Sequence, residues 1–319
     1  MFDIGFLKET SFRLPVIAVG NLSVGGTGKT PQIENLIRLL KDKYRIAVLS
    51  RGYKRSTKEF LILNEDATAQ EVGDEPLQYF QKFKNITVAV DTNRVHGISK
   101  LLKNTNTELI LLDDAYQHRK VKASLYLLLT KYDDLFTRDF LIPTGNLREG
   151  KAGAKRADLI IVTKCPSNLD HTSRKKIEQQ LQRYRKPLFF TTISYAKSIK
   201  GTQPILTADL KNYRVLLITG IANPTPLLSH LKNLSVHFTH LKYSDHHHFS
   251  KKEMLHIQQQ FSEMKTENKI LLTTEKDYTR LQYQLEDLNY LPIETQFLGD
   301  QKESFDDLIT SHIRNFSTQ

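Results

Sequence analysis

Eight residues, Ser23-Val24-Gly25-Gly26-Thr27-Gly28-Lys29-Thr30, place three glycines, a lysine and a hydroxyl in the order that a triphosphate tail requires. Glycines let consecutive backbone N–H groups point inward at phosphate oxygens. The lysine that follows reaches the terminal phosphates, and the next hydroxyl can ligate Mg2+. Ser23 stands where the strict pattern has glycine, so the residues alone leave open an ordinary Gly-rich turn. A second candidate is the apolar run 109–112 ending in Asp113 and Asp114. Such a run suits a buried parallel strand, whose carboxyl end would lie on the same sheet edge as the glycine loop. Either carboxylate could then reach a Mg2+ held by Thr30, although an acidic pair after a strand also serves as a turn or helix cap.

The same edge would collect Arg51 and Tyr53 after one strand and Asp91 and Arg94 after another. Arginines there neutralise phosphate or remain solvated surface charges. Gly73-Asp74-Glu75-Pro76 reads as a helix start, and on residue type alone Asp74 is a cap before it is a catalyst. In Asp245-His246-His247-His248 adjacent histidines share neither a helical nor a strand face, which favours one Asp/His acid-base pair over zinc. Thr163-Lys164-Cys165-Pro166 is similar to a guanine-selective loop but lacks its aspartate, so GTP is not inferred. The residues leave open a partner-activated P-loop switch or metallochaperone ATPase. Val24 weakens that reading, because dimeric ATPases of the type carry an extra lysine there.

These groups need a scaffold. Short β-rich runs alternate with helical stretches, the pattern of a doubly wound, mostly parallel sheet. Strands are predicted over 15–20, 45–49, 60–63, 86–90, 108–113 and 124–130, with helices over 29–41, 75–82 and 94–103. A second series has strands at 159–163 and 188–192 around a helix at 171–183, then strands at 215–219, 236–240 and 270–273. The Gly- and Pro-bearing stretch 141–156 is the predicted boundary or functional loop, giving a nucleotide-binding domain over 1–150 and a second α/β domain over 151–319 that contributes to the substrate cleft. With 319 residues and 39% apolar side chains the chain can fold as two such domains, which excludes a disordered chain. One cysteine, Cys165, cannot form an internal disulfide, so a reducing setting is expected. No apolar run is long enough to cross a bilayer. The net charge of +11 favours polyanionic partners. Arg174-Lys175-Lys176 reads as a solvated helix face, so no nucleic acid is inferred, nor an obligate protein partner.

Taken in order, residues 20–31, Ser50-Arg51-Gly52-Tyr53, Gly73-Asp74-Glu75-Pro76, Asp113-Asp114-Ala115-Tyr116-Gln117-His118 and Gly145-Asn146-Leu147-Arg148-Glu149 resemble the tetraacyldisaccharide 4'-kinase family of lipid A biosynthesis. Asp245-His246-His247 with Phe249, and Thr273-Thr274-Glu275-Lys276-Asp277, extend the resemblance from about residue 15 to residue 285. It implies a P-loop α/β/α sandwich joined by a two-stranded linker to a smaller α/β/α domain. It implies ATP and Mg2+, transfer of the γ-phosphate to the 4'-hydroxyl of a lipid A disaccharide 1-phosphate, and a place on the cytoplasmic face of the inner membrane. Carried over by motif, residues 23–30 hold the nucleotide, with Lys29 on phosphate and Thr30 on metal, and Asp113 and Asp114 serve metal and phosphates. Asp74 takes the hydroxyl proton with help from His246, which overturns the capping preference, while Arg51, Tyr53, Arg94, His118, Arg148 and Glu149 line the substrate site. Family members commonly begin with a membrane-embedded helix, whereas only 14 residues precede the first strand here. Either the start is truncated or the attachment is peripheral, to an anionic surface, with few apolar side chains from Met1–Phe6.

Overall fold

Val16–Asn21 (β1) is buried at all six positions, a pattern that works only in a sheet covered on both faces. The computed structural model describes residues 8–53 and 55–317; Met1–Phe6 therefore lie outside the described residues. The first unit continues through Lys29–Leu40 (α1), Ile46–Ser50 (β2), Leu61–Ile62 (β3), Ala69–Val72 (α2), Asp74–Lys82 (α3), Thr87–Val90 (β4), Arg94–Asn104 (α4), Leu109–Asp113 (β5), Leu125–Lys131 (β6), Leu159–Thr163 (β7), His171–Leu181 (α5) and Leu188–Tyr195 (β8). The second unit holds Lys200–Gly201 (β9), Arg214–Thr219 (β10), Thr225–Asn233 (α6), His237–Lys242 (β11), Lys251–Ser262 (α7), Lys269–Thr274 (β12), Glu275–Leu281 (α8) and Leu288–Leu291 (β13). The chain then returns to the first unit through Ile293–Phe297 (β14) and Gln301–Ser317 (α9).

The larger sheet has nine strands in the order β14-β8-β7-β6-β1-β5-β2-β4-β3. From β8 to β4 neighbours run parallel, and β3 is antiparallel to β4 at the edge. Parallel register aligns the carboxyl ends of β1, β2, β4, β5, β6 and β7 on one edge, where binding loops of doubly wound folds gather. Alternation along β1 decides which layer each residue feeds. Ile17 and Val19 meet Ile33, Leu36, Ile37 and Leu40, the i, i+3, i+4, i+7 stripe of α1, together with Phe305, Ile309 and Ile313 of α9. Val16 and Ala18 pack on the opposite face with Ile98 and Leu101 of α4.

The expected division at residue 150 is not where the structure divides. The first unit runs to Ser194 and resumes at Thr295, and Tyr195–Glu294 forms the second. Because β7 pairs with β6 and β8 with β7, both extend the first sheet instead of opening a new domain. The Gly- and Pro-bearing stretch 141–156 is a loop within the first unit. The second unit is a smaller α/β/α layer structure of five strands, β11-β10-β12-β13-β9, parallel except for β9 on β13. Its β10 sends Val215 and Leu217 toward Leu227 and Leu231 of α6, and Leu216 and Ile218 toward Ile257 and Phe261 of α7. No helix among the described residues is long and apolar enough to cross a membrane.

The return of α9 gives a direct test of the first core. Phe305 is fully buried and meets Phe189 edge-on at 5.3 Å and Phe297 at 4.7 Å. Phe305→Ala is expected to destabilise the first unit by about 3–5 kcal/mol, read as a lower urea midpoint; an unchanged midpoint would show that α9 adds nothing to that core.

Candidate active site

The glycine loop leaves β1 and enters α1 as the sequence requires. Gly25 and Gly28 have φ of 90° and 84°, values that side-chain-bearing residues rarely adopt, and Gly28 is the left-handed residue from which α1 starts. The loop therefore ends on a helix N-terminus whose first N–H groups have no partner inside the helix, the arrangement that attracts anions. Two groups beyond the glycine motif brace it. Thr163 at the end of β7 donates to the Thr27 carbonyl at 2.8 Å, and Lys164 donates to the Gly26 carbonyl at 2.7 Å. The Thr163-Lys164 pair, similar in sequence to a base-selective loop, thus supports the phosphate loop itself.

Lys29 points back along the edge of the sheet to Asn21 Oδ1 at 3.3 Å and to Asp114 at 3.5 Å. Arg148 meets the same Asp114 with both terminal nitrogens, at 2.9 and 3.3 Å, and also donates to the Asn21 carbonyl at 3.2 Å and to Asn21 Oδ1. The two adjacent carboxylates consequently diverge. Burial alone would raise Asp114, but Lys29 and Arg148 outweigh it and hold the group below its ordinary value. Asp113 is 4% exposed, and burial, with Asp114 and Glu75 adding repulsion, pushes it up to about 7. One Asp113 oxygen accepts from Ser50 at 3.2 Å; the other is buried without a hydrogen-bond partner. A buried, unpartnered carboxylate oxygen beside a second carboxylate fits a divalent cation, and Thr30 is the second residue of α1, directly after the glycine loop.

The remaining rim residues of the first unit come together with different burial. Arg51 and Tyr53 are exposed, Tyr53 by 59%. Arg94 is buried, not a solvated arginine: it donates to the Asp113 carbonyl at 3.4 Å and to the Asp91 carbonyl. Asp91 is tied to the Asn93 N–H at 2.7 Å and to His96 at 2.7 Å. Burial, followed by the charges of Arg94 and Arg51, lowers His118 to about 4, so its imidazole is neutral near pH 7. Glu149 is held by Arg156 at 2.7 and 2.8 Å and by Gln117 at 2.9 Å, while Gln117 also donates to the Asn21 carbonyl. Asn21 and Arg156 are thus organising residues whose roles the sequence did not assign. A polar residue at the buried end of an apolar strand was the available signal for Asn21.

Asp74 is the first residue of α3, and the cap position belongs to Gly73. The capping assignment made from residue type is therefore corrected: Asp74 lies inside the first turn, 8% exposed. Glycine explains the placement. Gly52 and Gly73 have φ of 69° and 94°, and a Cβ on Gly73 would meet Gly52 Cα at 3.2 Å. That close approach sets the start of α3 against the Arg51-Gly52-Tyr53 turn.

In the second unit His246 lies after β11 with φ 57°, its ring within 2.9 Å of the Lys276 ammonium and 4.0 Å of Asp245. Asp277 accepts from the Gly220 N–H at 2.8 Å and pairs with Arg280, which donates to the His247 carbonyl at 3.0 Å. The Thr274-Glu275-Lys276-Asp277 start of α8 therefore fixes the loop carrying Asp245 and His246. His247 turns away from that pair, to Glu253 at 2.9 Å.

A family model described as tetraacyldisaccharide-1-P 4'-kinase matches residues 1–314. The chain belongs to the tetraacyldisaccharide 4'-kinase family. Similar relatives include the tetraacyldisaccharide 4'-kinase of Flavobacterium johnsoniae, 50% identical over 98% of this chain and 92% of that protein, and the one from Bacteroides thetaiotaomicron, 43% identical over 98% and 88%. Among solved structures, the "apo" form of LpxK from Aquifex aeolicus in complex with ATP superposes with a TM-score of 0.76 at 30% identity, covering 98% of this chain and 92% of that one. As a member of the family the chain is a phosphotransferase of lipid A biosynthesis, and membership does not favour the partner-activated switch ATPase.

The divergent carboxylates have a measurable consequence without metal. Because the folded value of Asp113, about 7, lies above its ordinary value near 3.8, the native state binds the extra proton between those limits and loses stability as pH rises through them. In chelator-treated protein, Asp113→Asn is expected to be more stable than wild type by a few kcal/mol at about pH 8, with the gap shrinking toward about pH 5. Equal urea midpoints at the higher pH would contradict the burial argument.

Proposed function

We propose that this chain transfers the γ-phosphate of ATP to the 4'-hydroxyl of a tetraacyldisaccharide 1-phosphate, using residues 23–30 as the triphosphate cradle. The single observation that carries the residue assignments is the convergence of Lys29 and Arg148 on Asp114, beside a buried Asp113 with one oxygen unpartnered. Family membership supports the acceptor class, and the ATP bound in the Aquifex aeolicus relative supports the nucleotide.

Thr30, Asp113 and Asp114 would hold Mg2+, which when bound neutralises phosphate oxygens and orients them for in-line displacement. Lys29 holds the terminal phosphates, and its present contact with Asp114 marks where a competing anion arrives. Arg148, held on Asp114, sets a second positive charge on that carboxylate beside Lys29. Asp74 accepts the proton of the sugar hydroxyl as the new O–P bond forms and the bond to the β-phosphate breaks. Its place in the first turn of α3 lets the helix N-terminus stabilise the carboxylate form, which a base needs before it acts. In the second unit, His246 is held by Lys276 and Asp245, and the family resemblance gives it the role of helping the base. Arg51 and Tyr53 face solvent and serve the acceptor. His118, neutral near pH 7, offers it a hydrogen bond instead of a charge. Arg94 contributes charge from beneath the rim, and Glu149 is positioned by Arg156 and Gln117. Little covalent work remains for the protein beyond placing groups and neutralising charge.

The acceptor is a glycolipid, so the enzyme works at the cytoplasmic face of the inner membrane. Peripheral attachment there is supported by a net charge of +11, since each Lys or Arg close to an anionic surface contributes about 1 kcal/mol. Purified protein incubated with ATP, Mg2+ and the lipid A disaccharide monophosphate is expected to add one phosphate to the lipid, read by mass. Lys29→Ala should abolish that gain, whereas Asp74→Asn should keep nucleotide affinity and slow transfer by at least roughly 10²-fold. Near-normal transfer by Asp74→Asn would remove Asp74 from the base role.

A further inference from the structure

Three consecutive large apolar side chains of the first unit face solvent: Phe140 is 63% exposed, Leu141 51% and Ile142 54%. Scattered exposed apolar residues are ordinary, but a contiguous run on an ordered loop calls for a partner. The loop is well built. The Asp139 carboxylate accepts from the N–H groups of Phe140 at 2.7 Å and Asn146 at 3.1 Å. Backbone bonds join Ile142 N to the Leu147 carbonyl at 3.0 Å, Leu147 N to the Phe140 carbonyl at 2.9 Å and Gly145 N to the Leu141 carbonyl at 3.0 Å. Leu147, 1% exposed, anchors the base in the cluster of Leu22, Leu135 and Phe136. A Cβ on Gly145 would come within 2.4 Å of the Phe140 carbonyl, so the tight turn requires glycine. Side chains that could have turned inward are thus held outward by a rigid frame.

Cations flank this tip. The Lys151 ammonium lies 5.3 Å from the Phe140 ring centroid, and Arg138 and Lys155 are exposed close by in the chain. The loop also continues directly into the site, because Asn146 accepts from the Val24 N–H at 2.8 Å and Arg148 reaches Asp114. Val24, in the phosphate loop, is itself 41% exposed.

We propose that Phe140, Leu141 and Ile142 insert into the interfacial layer of an anionic lipid bilayer, with Lys151 and its basic neighbours at headgroup depth. The occupant follows from the pairing of a short apolar tip with cations beside it, which matches acyl chains below anionic headgroups. The proposal rests on the peripheral-attachment reading above and assigns the surface that carries it. Inserting this loop brings the strand ends of the first unit to the layer where the glycolipid's sugar lies.

The chain contains no tryptophan, so Leu141→Trp supplies a single reporter in the full-length protein. With vesicles of phosphatidylglycerol and phosphatidylethanolamine, its emission is expected to shift to the blue and to be quenched by lipids brominated on the acyl chains. Leu255→Trp, at an exposed position of the second unit, should do neither. Replacing Phe140, Leu141 and Ile142 together by Ser should lower co-sedimentation with these vesicles about tenfold or more while leaving ATP affinity unchanged. Lys151→Gln should reduce binding to anionic vesicles and spare the weaker binding to phosphatidylcholine. If wild-type protein stays in the supernatant, the attachment reading fails and this assignment with it. If wild type sediments but the reporter does not shift and the triple variant binds normally, only the assignment of this loop is overturned. A shift that needs the dispersed acceptor glycolipid and not the vesicles would give the loop to the acceptor's acyl chains, and a shift that grows with protein concentration alone would give it to a second copy; either result overturns bilayer docking.

Discussion

Asp113 and Asp114 are neighbours in the chain, yet without a cation they hold their protons differently, and the contacts at the rim of the first unit are arranged around that difference. Asp114 turns out of β5 with φ 46° toward Lys29 and Arg148 and is held ionised. Asp113 remains in the strand, buried, with Ser50 on one oxygen and nothing on the other. Two like charges in that space would repel strongly if both were ionised without compensation. A divalent cation bound there would resolve the conflict by stabilising the charged forms of both. Asn21 then becomes intelligible, since its side chain and carbonyl hold Lys29, Arg148 and Gln117 in positions where they compensate one carboxylate and not the other.

Parallel pairing makes this arrangement possible. In a sheet whose central strands all run one way, each strand delivers its last residue to the same edge, so a phosphate loop, an acidic pair and several arginines converge without any long excursion of the chain. Rigidity comes from backbone contacts that only glycine allows, above all the approach of Gly52 to Gly73 that fixes Asp74. The rim is therefore positioned by the scaffold and not by flexible side chains reaching inward, which suits a reaction that depends on placement.

Much of this was legible in the sequence because the signals are local. The apolar runs of β1, β2, β5 and β6, the stripe of α1 and the glycine loop each declare themselves within about a dozen residues, and the loop and acidic pair emerge at the expected edge. Long-range pairing was not legible. Nothing near residues 293–317 announces that β14 joins the first sheet and α9 packs on it, because Phe189, which both Phe297 and Phe305 meet, lies about a hundred residues earlier in the chain. The boundary placed at 150 followed glycine and proline, which here mark a tightly bonded loop. Asp74 was read as a cap because residue preference does not show that Gly73 takes that position. The burial of Arg94 was hidden for a similar reason: an arginine's surroundings are set by β4 and β5 together, not by its own neighbours in sequence.

The second unit is an uninterrupted segment set inside a first unit whose two pieces are separated by a hundred residues. On a ribosome the inserted segment can complete its own sheet as soon as it emerges. The nucleotide-binding half must wait, with the aromatic surface around Phe189 uncovered, until α9 has been synthesised. An open kinase half is thus built into the order of synthesis, and it closes only once β14 and α9 have followed the inserted segment.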